Sequence, residues 1–125
     1  MQLAQGIRRH GFRKWYERTL LASHAHLVLA VLCLLGLFAA YEGASGSSGG
    51  HKLANYGALL LCAAAGMWAL RRYLWIMGRA ESAANQADCP KCKAYGRLEL
   101  VAAEAGGDVV RVRCKVCDHH WTIEA

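Results

Sequence analysis

Residues 20–41, LLASHAHLVLAVLCLLGLFAAY, run for 22 positions without one formally charged side chain. At helical rise that is about 33 Å, enough to cross a hydrocarbon core of about 30 Å. A second run, 53–70, reads LANYGALLLCAAAGMWAL and spans about 27 Å. It continues into RRYLWIM, where Arg71 and Arg72 can snorkel while Tyr73 and Trp75 sit among headgroups. Two membrane spans, 20–41 and 53–77, are therefore expected, and a chain of 125 residues has room beyond them for one small module. The first run is read as a retained anchor. Its basic lead-in and apolar stretch are too long for a secretory signal, and no small-x-small cleavage site precedes the second run.

The net charge of +6 invites a nucleic-acid reading until it is located. Arg8, Arg9, Arg13, Lys14 and Arg18 outnumber Glu17 before the first span, and Arg71, Arg72 and Arg79 outnumber Glu81 after the second. The loop 42–52, EGASGSSGGHK, balances Glu42 against Lys52, and the tail from Asp88 onward balances six bases with six acids. All the excess flanks the apolar runs. That pattern orients spans in a bilayer, and it argues against nucleic acid as a partner. The positive-inside rule places both termini in the cytoplasm, the expected setting being the inner membrane of a bacterium, with the Gly/Ser loop outside.

The stretch IRRHGFRKWYERTL within residues 1–19 mixes bases with Phe12, Trp15 and Tyr16. It reads as an interfacial helix on anionic lipid or as the polar stem of the first span, with Gly11 weakening any continuous helix. In the second span, Ala54 with Ala58 and Cys62 with Gly66 recur four apart and permit close helix approach. Two helices bury little alone, so a membrane-protein partner or self-association is expected. His24 and His26 lie near the cytoplasmic end of the first span, about 200° apart around the helix. Either one touching a cofactor is the functional reading. The second span offers no matching histidine, and an interfacial imidazole can simply reach water. Cys33 and Cys62 read as small apolar residues.

After a polar, alanine-rich linker, 78–88, come CPKC at 89–92 and CKVC at 114–117. In a reducing compartment this pairing favours metal over disulfide. Each C-x-x-C lets one tight turn aim two sulfurs at one point, and two such turns complete a tetrahedron with no open position. Cys89, Cys92, Cys114 and Cys117 are the candidate ligands. Between them RLELVA (97–102) alternates, EAGGD turns, and VVRVR returns; HHWTIEA then puts Trp121 and Ile123 on one face. The expected product is three antiparallel strands around Leu98, Leu100, Val110, Val112 and Trp121, with too little core to fold without metal. His119 and His120 are alternative ligands only if a cysteine is displaced or a second metal binds.

Residues 89–125 resemble a zinc ribbon of the kind found in transcription elongation factors and RNA polymerase subunits. CPKC, the hairpin, and CKVC followed four residues later by Trp121 carry the likeness. That family often has glycine after each second cysteine, where this chain has Lys93 and Asp118. The hairpin tip AEAGGDV lacks the Asp-Glu pair that elongation factors use, so transcript cleavage does not carry over. The expected fold class is thus a membrane α-helical hairpin of two transmembrane helices plus a small all-β three-stranded zinc-ribbon domain.

No nucleophile–base pair, carboxylate dyad or phosphate loop stands in the sequence, so no enzyme and no small-molecule substrate is expected. The expected cofactor is Zn²⁺, with Fe the alternative in the same four sulfurs. The leading functional expectation is an accessory or scaffold subunit that docks to a larger membrane complex. Two others follow from the same residues: a rubredoxin-like electron-transfer protein at the membrane, and a tether for nucleic acid or transcription machinery. The tether suffers because a neutral tail bearing four thiolates and one dication is net negative.

Overall fold

The computed structural model describes residues 2–125. Helices α1 (Leu3–Gly46) and α2 (Gly50–Asn85) precede strands β1 (Leu98–Ala103), β2 (Val109–Cys114) and β3 (His120–Glu124). The chain divides into two compact units: Ser23–Trp75 forms one, and the stretch up to Ala22 together with Ile76–Ala125 forms the other.

The unit Ser23–Trp75 is a helical hairpin. The most apolar 18-residue windows of α1 and α2 have mean hydropathies of 2.2 and 1.5, and only 6% of each window is buried. A core helix of a water-soluble protein would hide such a window. Here Leu32, Leu35, Phe38, Leu60 and Leu61 all lie exposed. Both helices are long and apolar enough to be candidate membrane spans. Small residues set their approach. A methyl group on Gly36 would come 3.0 Å from Cys62 Sγ, and one on Gly66 would come 3.0 Å from Cys33 Cβ. The connection is tighter than the expected 42–52 loop, because both helices run into it and leave 47–49 as the turn. Continuing an existing helix adds one hydrogen bond per residue fixed, so the Gly/Ser composition does not unwind it. Asn55 Nδ2 donates to Ser47 Oγ across the turn at 3.3 Å.

The other unit is built on the antiparallel sheet β1-β2-β3. Leu98 stands opposite Cys114 at one end, and Val112 opposite Trp121. A register shift between Leu100 and Ala102 leaves Val101 exposed. One face carries Leu98, Val110, Val112 and Ile123, all buried. Leu100 and Trp121, expected in this core, are only partly buried against it. Trp121 instead reaches sideways and donates its indole N–H to Gln86 O at 2.9 Å.

What covers that face differs from the sequence expectation. The sequence reads residues 1–19 as an interfacial helix or as the polar stem of the first span, and 78–88 as a linker. Leu3, Ala4, Ile7, Phe12 and Trp15 from the start of α1, with Ala83 and Ala87 near the end of α2, are buried in one cluster with the four sheet residues. The physical reason is the sheet itself: a one-sided apolar face of three short strands must be covered, and these are the segments that cover it. Gly11 makes the covering possible. Its φ of 80° and ψ of 163° break α1 into two helices, a backbone state essentially restricted to glycine. The first turns then lie across the sheet, where Ala4 N donates to Gly107 O at 3.1 Å. On the open edge of β3, the Gln86 amide accepts from Glu124 N at 3.0 Å and donates to Glu124 O at 2.8 Å, which blunts that edge.

Candidate metal centre

The two C-x-x-C turns are built alike, as their equal spacing requires. In the first, Lys93 N donates to Cys89 O at 3.0 Å and Cys89 N donates to Ala94 O at 3.1 Å. In the second, Asp118 N donates to Cys114 O at 3.1 Å and Cys114 N donates to His119 O at 2.9 Å. Each turn therefore closes through the residue one past its second cysteine, and that residue takes a left-handed backbone: φ is 61° at Lys93 and 59° at Asp118. These are the two positions where the resembled ribbons often carry glycine, and the left-handed φ is the physical reason.

A prediction follows from that strain. Lys93→Gly is expected to stabilise the sheet unit by about 0.5–1 kcal/mol, since relief of the left-handed penalty exceeds glycine's extra chain entropy. The denaturant midpoint of the metal-loaded full-length protein reads the change. A lowered midpoint would mean the lysine side chain contributes something beyond its backbone.

The turns face each other at the end of the sheet, and all four Sγ atoms lie within 4.8 Å of one another. Cys89 and Cys117 sulfurs are 3.5 Å apart, as are those of Cys92 and Cys114. A tetrahedral ion with metal–sulfur bonds of about 2.3 Å needs sulfurs about 3.8 Å apart, so the four fit such an ion. Cys89 and Cys114 are buried, Cys117 is half-buried and Cys92 is exposed.

The electrostatics suit a cation. Burial pushes the Cys89 thiol up, but the backbone N–H groups of Cys92 and Lys91 and the sulfurs of Cys117 and Cys92 outweigh it and bring it down to about 6. The Cys114 thiol is likewise lowered, first by the N–H of Cys117. At Cys92 the N–H of Ala94 lowers the thiol, yet burial and the sulfurs of Cys114, Cys117 and Cys89 together push it up to about 12. The thiols of Cys89 and Cys114 are thus lowered while those of Cys92 and Cys117 are raised, so the four sulfurs resist carrying negative charge together. A dication held by the four sulfurs offsets part of that negative charge and eases the conflict.

Beside the centre, Arg113 bridges two carboxylates, Glu99 at 2.7 Å and Asp118 at 3.4 Å. The Glu99 carboxyl is held below its ordinary range by its hydrogen bond and charge contact with Arg113. Neither His119 nor His120 joins the ligand group among the described residues. His119 stacks on Trp121, ring centres 6.4 Å apart. His26 lies against Trp68, ring centres 5.7 Å apart.

Sequence reasoning found the four sulfurs and missed what holds them. Ala87 is buried, and its carbonyl accepts from Gly96 N at 3.1 Å just outside the first knuckle. Ala80 and Ala83 on the last turns of α2, and Ala87 just past its end, are all covered on the way into Cys89. Their spacing of three and four was a helical signal, but alanine is too weakly apolar to separate a packed face from a spacer. No protein-family model, curated protein or solved structure matches the chain.

Proposed function

We propose that this chain is a non-enzymatic, membrane-anchored accessory protein whose metal-organised sheet unit docks to a larger membrane complex. The observation that carries the reading is the convergence of four cysteine sulfurs within 4.8 Å on two matched turns. Four thiolates complete the tetrahedral sphere of zinc and leave no position for substrate or activated water, which supports a structural metal. The candidate spans supply the anchor. The start of α1 and the end of α2 belong to the same sheet unit, which supports both termini lying on one side of the bilayer. The basic residues flanking both apolar runs support that side being the cytoplasm of a bacterial cell. Exposed Tyr95, Val101 and Val116 give the sheet unit apolar points for a protein partner.

Metal content separates this reading from iron-based electron transfer. The full-length protein, purified in mild detergent without added metal, is expected to hold about one zinc per chain and to be colourless. A red protein with one iron, bleached by reductant, would replace the scaffold reading with electron transfer. The exposed Cys92 is where an electron would leave such a centre.

A further inference from the structure

Within the helical hairpin, Ala64, Met67, Trp68, Arg71, Arg72 and Trp75 line an open cavity of about 550 Å³ on one side of α2. These positions recur at three- and four-residue steps, so they form one stripe along the helix. Arg72 lies over the Trp75 ring at 4.7 Å. Among the described residues neither Arg71 nor Arg72 pairs with a carboxylate, and the next acid along the chain is Glu81. Two uncompensated guanidiniums therefore stand at the first charged positions after the apolar run 53–70. A guanidinium presents a planar fork of donors that matches phosphate oxygens, and two adjacent forks make a phosphate-sized anion site.

The cavity does not end at the arginines. Met67 also lines a second, almost wholly apolar groove of about 370 Å³ between α1 and α2, with Leu27, Val31, Leu34, Ala63 and Leu70 among its walls. Arg71, Met67 and Ala63 lie four apart, one above another, and connect the two spaces. Along α2 the groove runs from Leu70 to Cys62, about 12 Å into the apolar run. A cationic end at headgroup depth leading into an apolar slot at acyl-chain depth has the polarity of one lipid molecule.

We propose that the hairpin holds an anionic glycerophospholipid, its phosphate on Arg71 and Arg72 and one acyl chain in the groove beneath Met67. This rests on the reading that α1 and α2 cross a bilayer. The tryptophans Trp68 and Trp75 flank the glycerol level, where indoles are favoured. A second copy is a poorer occupant, because parallel packing there would bring its own Arg71 and Arg72 to the same depth, and like charges repel.

Native mass spectrometry of the detergent-solubilised full-length protein tests the site, with phosphatidylglycerol and phosphatidylcholine of identical chains as probes. Alkaline extraction of membranes comes first, so that failure of the membrane reading is seen separately. Phosphatidylglycerol is expected to bind roughly tenfold or more tightly, each arginine near an anionic headgroup contributing several-fold. Arg71→Gln/Arg72→Gln should erase the preference, and Arg8→Gln/Arg9→Gln should keep it. Met67→Trp, which retains both charges and fills the groove, should weaken both lipids. Should the double variant fail to insert, Met67→Trp still decides. Equal binding of the two lipids, a preference surviving Arg71→Gln/Arg72→Gln, competition by inorganic phosphate, or dimers in place of lipid adducts would each overturn the proposal.

Discussion

Cys114→Ala is expected to abolish metal retention and unfold the sheet unit while the helices of Ser23–Trp75 stay formed. The sulfur is buried and sits 3.5 Å from that of Cys92, so no neighbour can replace it without dismantling a turn. A structural zinc site supplies on the order of 10 kcal/mol of apparent folding energy at neutral pH. The apolar cluster beneath it belongs to a unit of about seventy residues, for which a single core supplies roughly 3–5 kcal/mol. The metal contribution is the larger, so packing cannot offset its loss. Chelation of the wild-type protein should have the same effect, and added zinc should reverse it. Amide dispersion and protease protection across 78–125 of the full-length protein report the sheet unit, and far-ultraviolet circular dichroism reports the helices. Cys33→Ala is the control, since Cys33 lies outside the four-sulfur group and packs toward Gly66. A Cys114→Ala protein with native protection would mean that the core folds by itself and the metal is secondary.

The features legible in the sequence were those written in short-range spacing. Two uncharged apolar runs announced the long helices, and two equal C-x-x-C spacings announced the cluster of Cys89, Cys92, Cys114 and Cys117. The strand readings were close: 97–102 was expected, and Leu98–Ala103 is observed. Even the departures from the ribbon pattern at Lys93 and Asp118 fell on the two left-handed positions. The cover of the sheet was not legible, because it is made of long-range contacts between segments with ambiguous composition. Bases interleaved with Phe12, Trp15 and Tyr16 suit a headgroup layer as well as a sheet face. Long-range contacts distinguish them: the shared cluster with Leu98, Val110, Val112 and Ile123, and the pairing of Ala4 with Gly107, about a hundred residues away. Core membership also shifted along β3. Ile123 is fully buried while Trp121 is partly covered, because the indole serves Gln86 at the sheet edge.

Trp15→Ala is expected to destabilise the metal-loaded sheet unit by about 3–5 kcal/mol, the range for emptying a large aromatic site in a core. Trp15 is 2% exposed and packs at 5.9 Å between ring centres on Phe12. Its indole N–H has no hydrogen-bond partner among the described residues, so Trp15→Phe should retain most of the stability. What makes the site specific is Gly6. The indole packs against that position, and a methyl group there would overlap Trp15 Cδ1 and fall 2.7 Å from Nε1 and 2.8 Å from Cγ, inside contact distance. Glycine within a helix usually costs about 1 kcal/mol relative to alanine, so Gly6→Ala would ordinarily stabilise. Here the sign reverses: overpacking against Trp15 should cost on the order of 1–3 kcal/mol. The two substitutions then couple. In a Trp15→Ala background the obstruction is gone, and Gly6→Ala should turn stabilising by about 1 kcal/mol, giving a non-additive cycle. Denaturant midpoints of the four proteins, zinc-loaded in the same detergent, close that cycle. If Gly6→Ala stabilises the wild-type chain, or if the two effects simply add, the break at Gly11 does not fold Trp15 back onto Gly6.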